Sequence, residues 1–245
     1  MRLNSFLFLF TFSLSAFAQN PNLEILLKAG EFTPKNELNI VDIKSNNSQI
    51  FNGRYYRFMQ FSVLPSTKQK EKIEELGVHF LEYIPYNTFV VSISENISDR
   101  NLAYHKVNAL VEVKSHQKIH PKLQNGNCPN WAKDGNNAVL EVLLYKDVDL
   151  TRAFEALKAY KFNVQEINTY AHAFIINCEI PNILKLATHP FVHFISPIDP
   201  PSYPENKTAR TLHRSNVIDT EYTNGRHYNG EGVNIMMQDD GAIGP

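Results

Sequence analysis

Two stretches of this chain, residues 58–113 and 140–195, parse into the same order of elements. A duplication on that scale constrains the fold more than any other feature, because one small architecture has to suit both copies. In the first copy the alternating run Tyr56-Arg57-Phe58-Met59-Gln60-Phe61-Ser62-Val63 predicts a strand. Ser66 with Gln69 three residues on has the spacing of a capping box, so a helix is expected to start there. Ile73 and Leu76 give that helix an apolar side, and Gly77 stands where a C-terminal glycine is expected. Val78, Phe80 and Tyr83 mark a second strand, Pro85-Tyr86-Asn87 a turn, and residues 89–93 a third strand. A short helix is expected over 99–108, and residues 110–113 close the copy as a fourth strand.

The second copy opens with the apolar run 139–144 and continues into 149–160, where Leu150, Ala153, Phe154 and Leu157 fall at helical spacing. Phe162, Val164 and Ile167 alternate as a strand, residues 173–178 form a third, Pro181 suits the first turn of a short helix, and 191–195 is the last strand. Glu82 aligns with Glu166 and Val113 with Ile195, an offset of about 82 to 84 residues. The order strand, helix, strand, strand, helix, strand predicts an α+β chain of two tandem ferredoxin-like units, 55–115 and 138–196. A unit of about 60 residues buries only about 60% of its unfolded surface, so each copy is expected to lean on its neighbour or on a partner domain.

The flanks place the protein. Arg2 followed by the apolar residues 6–12 and by Ala16-Phe17-Ala18 has the layout of a cleaved export signal, 1–18, with the mature chain starting at Gln19. No later segment approaches the roughly 20 apolar residues of a membrane helix, so a secreted, cell-surface or periplasmic protein is expected, off the membrane once the signal is cut. Lys plus Arg number 24 against 25 Asp plus Glu, with no basic block, which argues against nucleic acid as a partner. The strand–helix order also occurs in RNA-binding modules, but their aromatic strand signature is missing. Cys128 and Cys178 are the only cysteines. An exported pair can form a disulfide, while Cys178 in its apolar run equally suits a buried free thiol.

Residues 19–54 hold an apolar stretch at 23–27 and resist assignment; 116–137 reads as a connecting loop, rich in Asn, Gly and Pro. Pro197, Pro200, Pro201 and Pro204 open a polar linker, 197–229, of the exposed kind that proteases cut. His116 with His120, and His189 with His193, stand four apart but lack a supporting Cys or Glu cluster, so they read as ordinary side chains. The Asn-x-Ser/Thr sites at Asn46, Asn96 and Asn206 read as incidental.

Residues 230–245 differ in kind. Val233-Asn234-Ile235-Met236-Met237 predicts a short strand bounded by glycine turns, with Asp239 at its carboxyl end and Gly241 behind it. This run resembles the aspartate segment of the subtilisin-like serine peptidases, whose pattern is Gly-Val, an alternating apolar strand and Asp-x-Gly. Gly232-Val233 stands at the family's separation from Asp239-Asp240-Gly241, with Gln238 and Ala242 departing from its usual apolar residues. The resemblance implies that Asp239 is the first member of an Asp, His, Ser triad and that Asp240 is out of register. His227 precedes Asp239 and so does not fit that order. It further implies that the second unit is a pro-region that assists and then blocks its own catalytic domain, and that the substrate is a protein or peptide.

On this reading residues 230–245 begin a truncated catalytic domain whose histidine and serine follow Pro245, and the fragment alone is inactive. No cofactor is evident in the chain; calcium is compatible with the missing catalytic domain. The rival expectation is a secreted peptidase inhibitor or binding module built from the two units.

Overall fold

The computed structural model describes residues 24–34, 47–94, 99–201, 212, 226, 228, 230–232 and 234. The chain divides into residues 1–199 and 200–245. In the second part Gly230 and Gly232 hold φ angles of +76° and +79°, as glycine allows. The expected signal, 1–18, lies outside the described residues, as do most of the expected linker and the strand expected at 233–237.

The described residues of the first part fold as α+β, with antiparallel sheets and few helices. A hairpin of β1 (Ile25–Leu27) and β2 (Gly30–Phe32) comes first. The first repeat follows as β3 (Arg54–Phe61), α1 (Thr67–Glu74), β4 (Val78–Ile84), β5 (Thr88–Ser94), α2 (Asp99–Tyr104) and β6 (Val107–Glu112). After a short β7 (Lys133–Asp134), the second repeat is β8 (Asn137–Leu144), α3 (Leu150–Ala159), β9 (Asn163–Asn168), β10 (Ala173–Glu179), α4 (Ile183–Ala187) and β11 (Val192–Pro197). The sheets run β4-β5-β3-β6 and β9-β10-β8-β11, with β7 added beside β8. All these pairings are antiparallel. In each repeat the first and third strands are therefore central. The registers agree as well: Phe58 lies opposite Val90 and Val111, and Val142 opposite Phe174 and Ile195.

Local chemistry sets the ends of these elements. Ser66 caps α1 through its side chain, and Gln69 returns a bond to the Ser66 N–H, the reciprocal pair the spacing predicts. The chain then turns at Gly77, whose φ is +95°; a Cβ there would meet Ser94 Cβ at 2.9 Å, so only glycine fits without a shift. Tyr86 and Asn87 both carry positive φ between β4 and β5, the signature of a tight hairpin turn. Asp149 caps α3 by accepting the Arg152 N–H.

One helix ends earlier than its sequence predicts, and two segments that the sequence leaves without elements gain them. The second helix of the first repeat stops at Tyr104 rather than reaching Asn108: Lys106 takes φ +61° and Val107 is already in β6. Residues 116–137 connect the repeats and carry 3-10 turns within Pro121–Gly126, kinked at Gln124 and Asn125, a further 3-10 turn at Asn130–Ala132, and then β7. The 19–54 segment supplies the hairpin, whose Ile25 is fully buried. Cys128 and Cys178 are both free, and burial with the nearby Glu179 carboxylate pushes the Cys178 thiol up to about 11.

Two apolar clusters hold the fold. One packs Tyr55, Met59 and Val91 of the first sheet against Ile73 of α1 and Leu102 of α2. The other takes Tyr56, Phe58 and Val90 from the opposite face of that sheet and joins them to Leu140, Val142, Leu157, Phe174 and Leu186 of the second repeat. Residues 55–61 are consequently buried without alternation, as in strands covered on both faces. Each fully buried side chain of this size is worth about 1.5–3 kcal/mol, so the second face couples the repeats strongly.

Candidate functional site

Asp239, the residue expected to be catalytic, lies outside the described residues, and so do Asp240 and Gly241. What can be built from the residues upward is the cleft between the repeats.

Its floor is the outer face of the first sheet. Because β3 and β5 pair with Tyr56 opposite Ser92 and Phe58 opposite Val90, their even-numbered side chains project together towards the second repeat. The segment just after β8 meets them: the Tyr145 ring stacks on Tyr56 with centroids 4.0 Å apart and planes 4° from parallel. Beside this stack opens a cavity of about 270 Å³, walled by Leu26 and Leu27 of the hairpin, Phe58, Ile84 and Val90 of the first sheet, and Leu143 and Phe194 of the second. Glu82 and His193 add a polar edge, His193 Nε2 standing 3.3 Å from Glu82 Oε2. Burial pushes the His193 imidazole below its usual range, and Glu82 opposes that shift. Burial, followed by the Asp147 carboxylate, likewise raises the Tyr56 phenol; burial raises that of Tyr145.

At the end of the stack a polar network crosses between the repeats. Arg54 Nε lies 3.3 Å from Asp147 Oδ2 and donates to Ser92 Oγ at 2.9 Å; the Ser92 hydroxyl in turn donates to Asp147. Arg54 also donates to the carbonyls of Ser92 and Gly77 at 3.0 and 3.1 Å. His79 Nδ1 stands 3.9 Å from the same carboxylate. Serine, histidine and aspartate thus meet here, but in an order that does not make a nucleophile. A hydrolytic triad puts the imidazole between the hydroxyl and the carboxylate. Here Asp147 binds the hydroxyl directly, Arg54 occupies its acceptor side, and His79 sits at the exposed edge. The arrangement is a latch that fixes Asp147 of the second repeat to two strands of the first.

The paired histidines fall to separate roles. His120 Nδ1 accepts the Lys122 N–H at 3.1 Å and caps a turn, while His189 is buried among Tyr160, Phe162 and Phe191. Among the described residues no three His, Cys, Asp or Glu side chains converge as a metal site would need. Nor, among those residues, is any helix long and apolar enough to cross a membrane.

Sequence reasoning missed the latch entirely. The one available signal was Arg54 and Arg57 flanking Tyr55-Tyr56 in a run otherwise fit for a buried strand, since charges at such positions need partners.

Residues 26–114, from the hairpin to the end of the first repeat, match a domain of unknown function, DUF8729. No curated protein and no solved structure matches the chain.

Proposed function

We propose that this chain carries the export signal, a double ferredoxin-like pro-region and the triad aspartate of a secreted subtilisin-like serine peptidase. The observation that carries the reading is order along the chain: two antiparallel units with one strand arrangement, a proline-rich polar stretch, then Gly232-Val233 and Asp239-Asp240-Gly241 at the family's spacing. The repeated arrangement supports the ferredoxin-like assignment of both units, because each places its first and third strands centrally with the second and fourth at the edges. In this reading Asp239 accepts the ring N–H of a histidine, which takes the proton of a serine as that serine attacks the peptide carbonyl. The reading requires that histidine and serine C-terminal to Asp239, where sequence 240–245 holds neither.

A second reading, an inhibitor or binding module, is favoured by one observation: the 270 Å³ cavity is walled by the hairpin, the two repeats and Gln117 of the segment that joins them. Asp239→Asn in the protein expressed from the complete gene separates the two. The peptidase reading expects folding to survive and turnover to fall about 10⁴-fold, through the wrong histidine tautomer. Asp240→Asn is expected to do much less. Equal losses at the two positions, or peptide hydrolysis that persists unchanged in Asp239→Asn, would reject the assignment of Asp239.

A further inference from the structure

The mouth beside β6 and the turn after it holds two buried cations that, among the described residues, no carboxylate approaches within 4.0 Å. The Arg57 guanidinium and the Lys118 ammonium belong to residues only 4% exposed. Lys118 Nζ donates to the His189 carbonyl at 3.0 Å, and Arg57 donates to the Tyr56 carbonyl at 2.8 Å and to the Gln49 side chain. Among the described residues neither makes an ion pair within 4.0 Å. Burying a cation on neutral acceptors alone is costly, and folded proteins ordinarily avoid it by pairing or by supplying an anion.

Both cations line a cavity of about 50 Å³ together with Ser115 and Tyr145. A bound water needs about 10–15 Å³ of such space, so the cavity suits a group of a few heavy atoms. The Tyr145 hydroxyl is buried and has no hydrogen-bond partner among the described residues. That is an unused donor on a wall that already carries two positive charges. Arg57 keeps N–H bonds beyond the two it uses, and Lys118 has two more. Glu112 is the one carboxylate on the lining; it stands at the exposed mouth, where its side chain accepts from Gln49 and its charge partly offsets those of Arg57 and Lys118.

We propose that this cavity binds a small oxyanion, of the phosphate or sulfate class, through Arg57, Lys118 and the Tyr145 hydroxyl. The inference is independent of the peptidase reading. It accounts at once for two buried cations served by one exposed carboxylate between them and for an orphaned hydroxyl, which apolar packing leaves unexplained. Burial, then Arg57, holds the Lys118 amine down at about 7, so an anion that restores its charge should draw in a proton near neutral pH.

The test uses the full chain, titrated with inorganic phosphate and with sulfate against sodium chloride at matched ionic strength. Followed by thermal melting and calorimetry, phosphate or sulfate is expected to bind with one-to-one stoichiometry and to raise the melting temperature saturably. Chloride should not. Sulfate binding near pH 7.5, measured in buffers of different ionisation enthalpy, is expected to take up a fraction of a proton. Lys118→Met removes an unpaired buried charge without a large change of volume; it is expected to fold and to weaken binding at least tenfold. Tyr145→Phe should weaken it several-fold and Glu112→Gln should tighten it.

Should Lys118→Met not fold, the Tyr145→Phe and Glu112→Gln changes of opposite sign carry the decision. The proposal is overturned if the stabilisation never saturates and is the same in wild type and the variants, because anions of this class stabilise any fold by exclusion. It is overturned equally if calorimetry finds no site at tens of millimolar anion.

Discussion

Replacing Asp147 by alanine tests whether the latch binds the repeats into one cooperative body. The side chains of Arg54 and Asp147 are 21% and 19% exposed and stand 3.3 Å apart. At an effective dielectric of about 20 their attraction is about 5 kcal/mol, before the cost of drying both charges. That cost removes much of it. What the variant loses outright is the charge-assisted bond from the Ser92 hydroxyl, of about 1.5–3 kcal/mol. Arg54 keeps its bonds to the Ser92 hydroxyl and to the Ser92 and Gly77 carbonyls, which limits the penalty of the orphaned guanidinium. The expected net loss is about 2–3 kcal/mol, a fall in melting temperature of roughly 5–10 °C for a body of this size.

Urea unfolding followed by circular dichroism and by the single tryptophan, Trp131, provides the assay. Trp131 donates to the Ile198 carbonyl and so reports on the second repeat, whereas circular dichroism sees both. The two signals are expected to move together in wild type and to separate in Asp147→Ala. A cycle with Ser92→Ala should return a coupling energy of about 1–2 kcal/mol. A loss under about 0.5 kcal/mol, or a coupling energy of zero, would show that the network is an ordinary surface pair and refute the latch.

Gly77→Ala should cost about 1–3 kcal/mol in urea unfolding, since it adds a strained φ to a 2.9 Å contact with Ser94 Cβ. Leu157→Ala, at a fully buried position on α3, should cost about 2–5 kcal/mol, and Phe154→Ala, at a half-buried one, less. Stability should fall on acidification from about pH 6.5 towards 4: burial, then Lys118, holds His189 at about 4, so the unfolded chain takes up that proton first. The full effect is about 3 kcal/mol, and His189→Phe, which keeps the aromatic packing, should flatten this limb in melts run against pH. Reducing agent should leave the melting temperature unchanged, because Cys128 and Cys178 are both free.

The repeat was legible because its signals are local. Ser66 and Gln69 declare a helix start, the spacing of Leu150, Ala153, Phe154 and Leu157 another helix, and the runs at 89–93 and 173–178 read as strands. The failures share a cause. Lys106 turns the chain through a positive φ with no glycine to announce it, so the sequence over 99–108 does not mark where the helix ends. The hairpin is made by Gly30 at φ +132° and held by burial of Ile25, which depends on side chains far away in sequence. The latch and the anion cavity depend on distant pairing: Arg54 meets Asp147 only once the second repeat lies across the first sheet, and Arg57 meets Lys118 only once the turn after β6 folds back beside β3.

That distant pairing also bears on what the matched stretch 26–114 is as a physical object. Its sheet has two buried faces, and only one is covered from within: Tyr55, Met59 and Val91 lie under α1 and α2. Tyr56, Phe58 and Val90 belong to the other cluster, whose remaining members come largely from the second repeat. Polar groups follow the same division, since Ser92 and Arg54 point at Asp147, and Glu82 at His193. A sheet whose outer face carries both large apolar rings and charges aimed at fixed counterparts is specified for one partner rather than for water. The second repeat supplies that partner in the same chain, and at the meeting surface both the 270 Å³ cavity and the smaller cationic one arise. Whatever the hairpin and first repeat do in other chains, here their binding surfaces are completed by residues 115–197, and neither cavity exists in the matched stretch alone.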